Sequence, residues 1–107
     1  MFNLFKKKEK TKRELPSGTI RKRYYFEGTV QNIGFRFEIQ KRAKPLGITG
    51  FAQNNDDGTV TSELQGSAKD IDKVITDLQN IDRIQIDFIS EKDLPVEYYE
   101  KDFYILY

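Results

Sequence analysis

Hydrophobic spacing changes period along this chain, and that change limits the folds open to it more than any other feature. From Arg21 to Val30 the side chains alternate, with Lys22, Tyr24 and Phe26 on one side and Arg23, Tyr25 and Glu27 on the other. This is the two-residue period of a strand, and Gly28 near its end marks a place of close backbone approach. After a short loop, Phe35, Ile39, Ala43 and Leu46 recur at helical spacing, and Pro45 with Gly47 closes the segment. Gly50 to Gln53 and Thr59 to Gln65 read as strands joined by Asn54-Asn55-Asp56-Asp57-Gly58, whose Asp-Gly pair is a hairpin signal. Ser67-x-x-Asp70 resembles a capping box, followed by the stripe Ile71, Val74, Ile75 and Leu78, with Asn80 to end the helix. Ile84, Ile86 and Phe88 alternate with Gln85, Asp87 and Ile89 in a fourth strand, and Phe103 to Leu106 offers a short fifth. The order predicts an α+β fold: a ferredoxin-like βαββαβ sandwich, its sheet mainly antiparallel, two helices on one face, plus a short terminal strand.

Composition narrows the chemistry. The 107 residues suffice for one domain, and eight Phe and six Tyr supply a core. With neither Cys nor His there is no disulfide framework, and a soft-ligand metal site is not expected; any catalysis proceeds without thiolate or imidazole. No apolar run approaches the roughly 18 residues of a membrane span, so the cytoplasm is the expected location. Charge is unevenly spread: residues 1–23 hold nine Lys/Arg against two Glu, whereas residues 24–107 hold nine against fifteen Asp/Glu. Residues 1–18, bounded by Pro16 and Gly18, read as a flexible basic extension of unknown partner, and 19–107 as the folded domain.

The stretch Gly28-Thr29-Val30-Gln31-Asn32-Ile33-Gly34-Phe35-Arg36 runs from strand end through a tight loop into a first helical turn. Backbone N–H groups there, with the free donors of the helix start, suit an anion of phosphate size, and Arg36 adds a charged planar fork. Taken alone, a turn glycine and a solvated arginine explain the same residues.

The wider run decides the matter. Gly28-x-Val30-Gln31-x-Ile33-Gly34-Phe35-Arg36, then Ala43, Leu46-Gly47, Gly50-Phe51, Asn54 and Gly58-x-Val60, closely resembles the acylphosphatase family from about Arg21 to Tyr107. The resemblance implies a cofactor-independent hydrolase that splits the carboxyl–phosphate bond of an acyl phosphate, giving a carboxylate and inorganic phosphate. It also implies that Arg36 and the amides of Gln31, Asn32, Ile33, Gly34, Phe35 and Arg36 hold the phosphoryl group, while Asn54 orients the attacking water. Asn55 is the alternative for that last role, and family spacing favours Asn54. No metal, no cofactor and no nucleic acid are expected for this acidic domain, and a monomer is.

One departure stands out: Asn32 occupies a place where the family commonly has Gly, and a loop of this kind often needs positive φ there. It supports a second reading, a catalytically weak acylphosphatase-like phosphate-binding or protein-interaction module. Deleting residues 1–18 is expected to leave specific activity on a small acyl phosphate unchanged, because the family likeness starts beyond them. A steady-state assay of the truncated chain checks this.

Overall fold

Helix and strand boundaries follow the changes of period. In the computed structural model, which describes residues 11–107, β1 (Ile20–Thr29) leads through the loop to α1 (Phe35–Ala43). A single 3-10 turn, Lys44–Leu46, follows, entered through Pro45 and left at Gly47. Next come β2 (Thr49–Asn54), β3 (Val60–Gly66), α2 (Ala68–Gln79), β4 (Gln85–Leu94) and β5 (Phe103–Leu106). The sheet order is β4-β1-β3-β2-β5, antiparallel throughout except that β5 runs parallel to β2. This is the ferredoxin-like α+β sandwich anticipated from the sequence.

Both helices supply one core. Phe35, Ile39 and Ala43 of α1 and Ile71, Val74 and Leu78 of α2 are buried with Tyr24, Phe26, Ala52, Val60, Leu64 and Phe103 of the sheet. The Ser67 hydroxyl accepts from the Asp70 N–H at 3.1 Å and so satisfies a donor at the start of α2, as the sequence suggested. Burial pushes the Tyr24 phenol up to about 12, so it stays neutral in the core. Phe26 and Phe35 meet edge to face, centroids 5.0 Å apart, joining β1 to α1 on either side of the loop.

Close approach at Gly28 is real. Glu27 pairs with Phe88 and Gly28 with Ile86, leaving Asp87 as the extra residue of a bulge. A Cβ at Gly28 would lie 2.2 Å from the Gln85 carbonyl oxygen, and its φ is 139°. No other residue fits there.

Two features depart from the sequence reading. Strand β4 continues to Leu94, past the alternating apolar residues, because Ser90-Glu91-Lys92-Asp93 pair with Tyr25 through Lys22 along an edge that polar side chains protect. The other concerns the sheet face away from the helices, where Arg21 is buried. Its Nε donates to Glu63 at 2.9 Å, Nη1 to Gln65 at 3.2 Å and to Glu100 at 2.8 Å, and Nη2 to Glu100 at 3.1 Å. Burial alone would lower its pKa, but Glu100 and Glu63 outweigh that and raise it. Gln65 in turn exchanges hydrogen bonds with the Glu97 backbone, so the segment after β4 is strapped over this end of the sheet.

The described part of the basic extension touches that strap. Arg13 donates from its backbone to Tyr98 and from its guanidinium to the Glu100 carbonyl, and the Lys12 ammonium lies 4.7 Å over the Tyr98 ring. Among the described residues, regular structure starts at Ile20 and contact with the body at Lys12; residues 1–10 of the extension lie outside the described residues. Arg21→Met leaves Glu100 and Glu63 without this buried cation and is expected to lower stability by about 3 kcal/mol, read from urea unfolding.

Candidate active site

The loop between β1 and α1 turns on two left-handed residues. Asn32 has φ 63°, the one non-glycine residue with positive φ among those described, and Gly34 has φ 76°. Gly34 is also the N-cap of α1, and no side chain caps that end. The first helical bond runs from the Glu38 N–H to the Gly34 carbonyl, so the N–H groups of Phe35, Arg36 and Phe37 have no intrahelical acceptor. Successive turns of this kind make a concave nest of donors, and the helix start adds its partial positive charge.

A cavity of about 150 Å³ opens at this point, lined by Val30, Asn32, Gly34, Phe35, Arg36 and Asn54, with Phe37, Ile105 and Tyr107 completing the wall. None of these has a carboxylate side chain. Arg36 is held from β5: its Nη1 donates to the Leu106 carbonyl at 2.8 Å, and the guanidinium carbon sits 4.9 Å from the centre of the Tyr107 ring. Its Nε and Nη2 have no partner among the described residues.

Asn54 and Asn55 separate cleanly. Asn55 is consumed by the hairpin turn, its Nδ2 donating to the hydroxyls of Thr59 at 3.0 Å and Thr61 at 2.9 Å. Asn54, last residue of β2, lines the cavity, and its Oδ1 is buried without a hydrogen-bond partner among the described residues. An orphaned buried acceptor costs about 1–3 kcal/mol, so its presence asks for a functional reason.

Of the residues singled out from the sequence, Asn32, Gly34, Phe35, Arg36 and Asn54 meet in the cavity, whereas Gln31 and Ile33 do not line it. The Gln31 amide donates instead to the carbonyls of Asn55 at 2.8 Å and Thr59 at 2.9 Å, bracing the loop against the hairpin that carries Asn54. Ile33 packs on the edge of the core, and its carbonyl accepts from Arg83. Phe37, Ile105 and Tyr107 were not expected at the wall. Phe37 lies off the buried stripe of α1, and β5 reaches the site through pairing with β2.

The fold and the loop together define a class of protein, a ferredoxin-like α+β sandwich whose β1–α1 loop presents uncapped helix donors beside an arginine. Comparison with known proteins gives the family. The acylphosphatase family model matches residues 22–105. An acylphosphatase of Clostridium perfringens is 42% identical over 85 residues, covering 78% of this chain and 96% of that one. An acylphosphatase of Picrophilus torridus is 39% identical over 69 residues, covering 64% and 85%. The crystal structure of acylphosphatase from Bacillus subtilis superposes with a TM-score of 0.76 at 25% identity, over 82% of this chain and 99% of that one. The chain belongs to the acylphosphatase family and is an enzyme of that kind, a hydrolase acting on acid anhydrides. Among the described residues, no helix is long and apolar enough to cross a membrane.

The left-handed backbone at Asn32 sets an expectation. Asn32→Gly keeps inorganic phosphate inhibition and gives turnover at least equal to the parent, because Gly reaches this φ without steric cost. Asn32→Val adds about 1–2 kcal/mol of backbone strain and weakens both about tenfold, measured as kcat/KM and the phosphate inhibition constant.

Proposed function

We propose that this cavity is the catalytic site and that it works by holding the phosphoryl group in place rather than by acid–base chemistry. The observation that carries the reading is the juxtaposition of Arg36, the donor nest from Asn32 to the first turn of α1, and the unpartnered Oδ1 of Asn54 around one small cavity. In this reading the amides of Asn32, Gly34, Phe35 and Arg36 and the free guanidinium edge of Arg36 bind the phosphoryl oxygens. Gln31 and Ile33 support the loop from outside.

Phosphoryl transfer spreads charge over the equatorial oxygens, so fixed donors already aimed at them lower the barrier without moving during the reaction. Asn54 Oδ1 accepts a hydrogen bond from a water and sets it in line with the leaving oxygen. The water oxygen bonds to phosphorus as the phosphorus–acyl oxygen bond breaks, and the bond pair leaves with the carboxylate. The water keeps one proton as a phosphate hydroxyl and passes the other to a phosphate oxygen. One dianionic acyl phosphate and one water thus give one carboxylate and one dihydrogen phosphate monoanion. An acyl phosphate has a good leaving group, and a wall without a carboxylate side chain is compatible with a reaction that uses no side-chain base.

The cavity suits a phosphoryl group and a water, and the acyl part of the substrate then lies across the rim made by Phe37, Ile105 and Tyr107. Phe37 is 55% exposed and Tyr107 fully so, an apolar rim open to acyl groups of different size. The measured substrate is a model aryl acyl phosphate in the presence of EDTA. Arg36→Ala is expected to lower kcat/KM at least 100-fold with the fold intact, and Arg36→Lys to recover little, because a point charge lacks the fork. Asn54→Ala lowers kcat more than it changes KM, and Asn55→Ala has the smaller effect. Parental activity in Arg36→Ala, or the reverse ranking of the two asparagines, would sink the assignment.

A further inference from the structure

We propose that Arg83 is a positioning residue for the phosphoryl cradle: it grips the loop from behind and aims the Gly34 N–H into the cavity. The proposal rests on the reading of the loop given above. Arg83 stands just before β4 and spans two elements with one planar group. Its Nη1 donates to the Ile33 carbonyl, and its Nη2 donates to Glu38 of α1 at 2.6 Å. Glu38 is itself fixed, with Arg42 at 2.5 Å and Lys41 at 3.8 Å, and its carboxyl is held below the usual carboxylate range chiefly by the Arg42 hydrogen bond.

The geometry of the peptide bond turns this surface contact into a statement about the site. The Ile33 carbonyl and the Gly34 N–H belong to one trans peptide unit, so they point in opposite directions. A cation that holds the carbonyl on the outer side keeps the N–H directed inward, where Gly34 lines the cavity. The same hydrogen bond polarises the peptide and makes its N–H a stronger donor. Without that grip the flanking residues resist poorly, because Gly34 has wide conformational freedom.

Stability gives a weak reason for the arrangement. The Arg83 side chain is 51% exposed, and exposed ion pairs add little to folding. What the guanidinium does supply is two donors at a fixed angle, one for the loop and one for the helix that the loop opens. A lysine can serve only one of them at a time.

The test compares the parent with Arg83→Met, Arg83→Lys and Arg36→Ala, using a model aryl acyl phosphate for kinetics and inorganic phosphate as the binding probe. Arg83→Met is expected to lose about 10- to 100-fold in kcat/KM, with weaker phosphate inhibition. Its melting temperature should stay within a few degrees of the parent. Arg83→Lys recovers part of the loss. In a phosphate titration followed by amide NMR, the Gly34 proton of the parent moves downfield, and in Arg83→Met it moves less. Parental kinetics and a parental Gly34 shift in Arg83→Met would overturn the proposal. So would an activity loss that merely follows a fall in melting temperature while the Gly34 shift is unchanged. Arg36→Ala separates the two levels: if it is inactive while Arg83→Met keeps parental kinetics, only the positioning role fails; if it is fully active, the cradle reading fails first. Should Arg83→Met not fold, Arg83→Lys carries the same readouts at smaller amplitude.

Discussion

The edge-to-face contact of Phe26 with Phe35 is the joint on which the site depends. Phe26 is the last fully buried aromatic of β1 and Phe35 the first residue of α1, so the pair fixes both ends of the loop between them. A loop that leads into a helix start with no side-chain cap cannot hold its own shape by internal hydrogen bonds. Its shape has to be imposed from outside. The aromatic pair does this from below, the Gln31 amide from the hairpin side, and the Arg83 guanidinium from the side of α1. The division is physically sensible: apolar contacts fix distance, and polar contacts to single carbonyls fix the angle of individual peptide planes.

The two faces of the sheet use opposite means to a similar end. Toward the helices the core is apolar, and its stability scales with area removed from water. On the far face the end of the sheet is closed by a cluster of ions, Arg21 with Glu63 and Glu100, and Gln65. Such a cluster adds little stability over a hydrophobic equivalent, but it is intolerant of losing a member, and it ties an irregular segment to one register. The segment from Pro95 to Glu100 has no helix or strand of its own, so the buried arginine gives it a defined seat.

What the sequence made legible was whatever depends on neighbours in the chain. Alternation put Tyr24 and Phe26 together on one side of β1, which is the buried side, and the family's usual Gly at position 32 anticipated a left-handed backbone there. The failures concern contacts between distant residues. Arg21 belongs to the same alternating run, but alternation has no means of seeing the strap that covers the far face of β1. Arg83 meets the Ile33 carbonyl across 50 residues, and nothing in the spacing around either one signals the other. The bonds from the Gln31 side chain to the hairpin carbonyls, across 24 and 28 residues, are equally invisible in the motif.

Strand β5 has a role out of proportion to its four residues. It joins β2 in parallel, pairing Gly50 with Phe103 and Gln53 with Leu106, partners separated by about half the chain. Pairing over such a separation needs the intervening chain to be ordered first, since closing a long loop costs entropy before any contact repays it. The carbonyl that steadies Arg36 and the ring it packs against both come from this region. Completion of the cavity wall is therefore tied to complete assembly of the sheet. A molecule with its aromatic joint formed and β5 undocked has most of its core but lacks part of the cavity wall, so the last strand to close is also the one that completes the pocket.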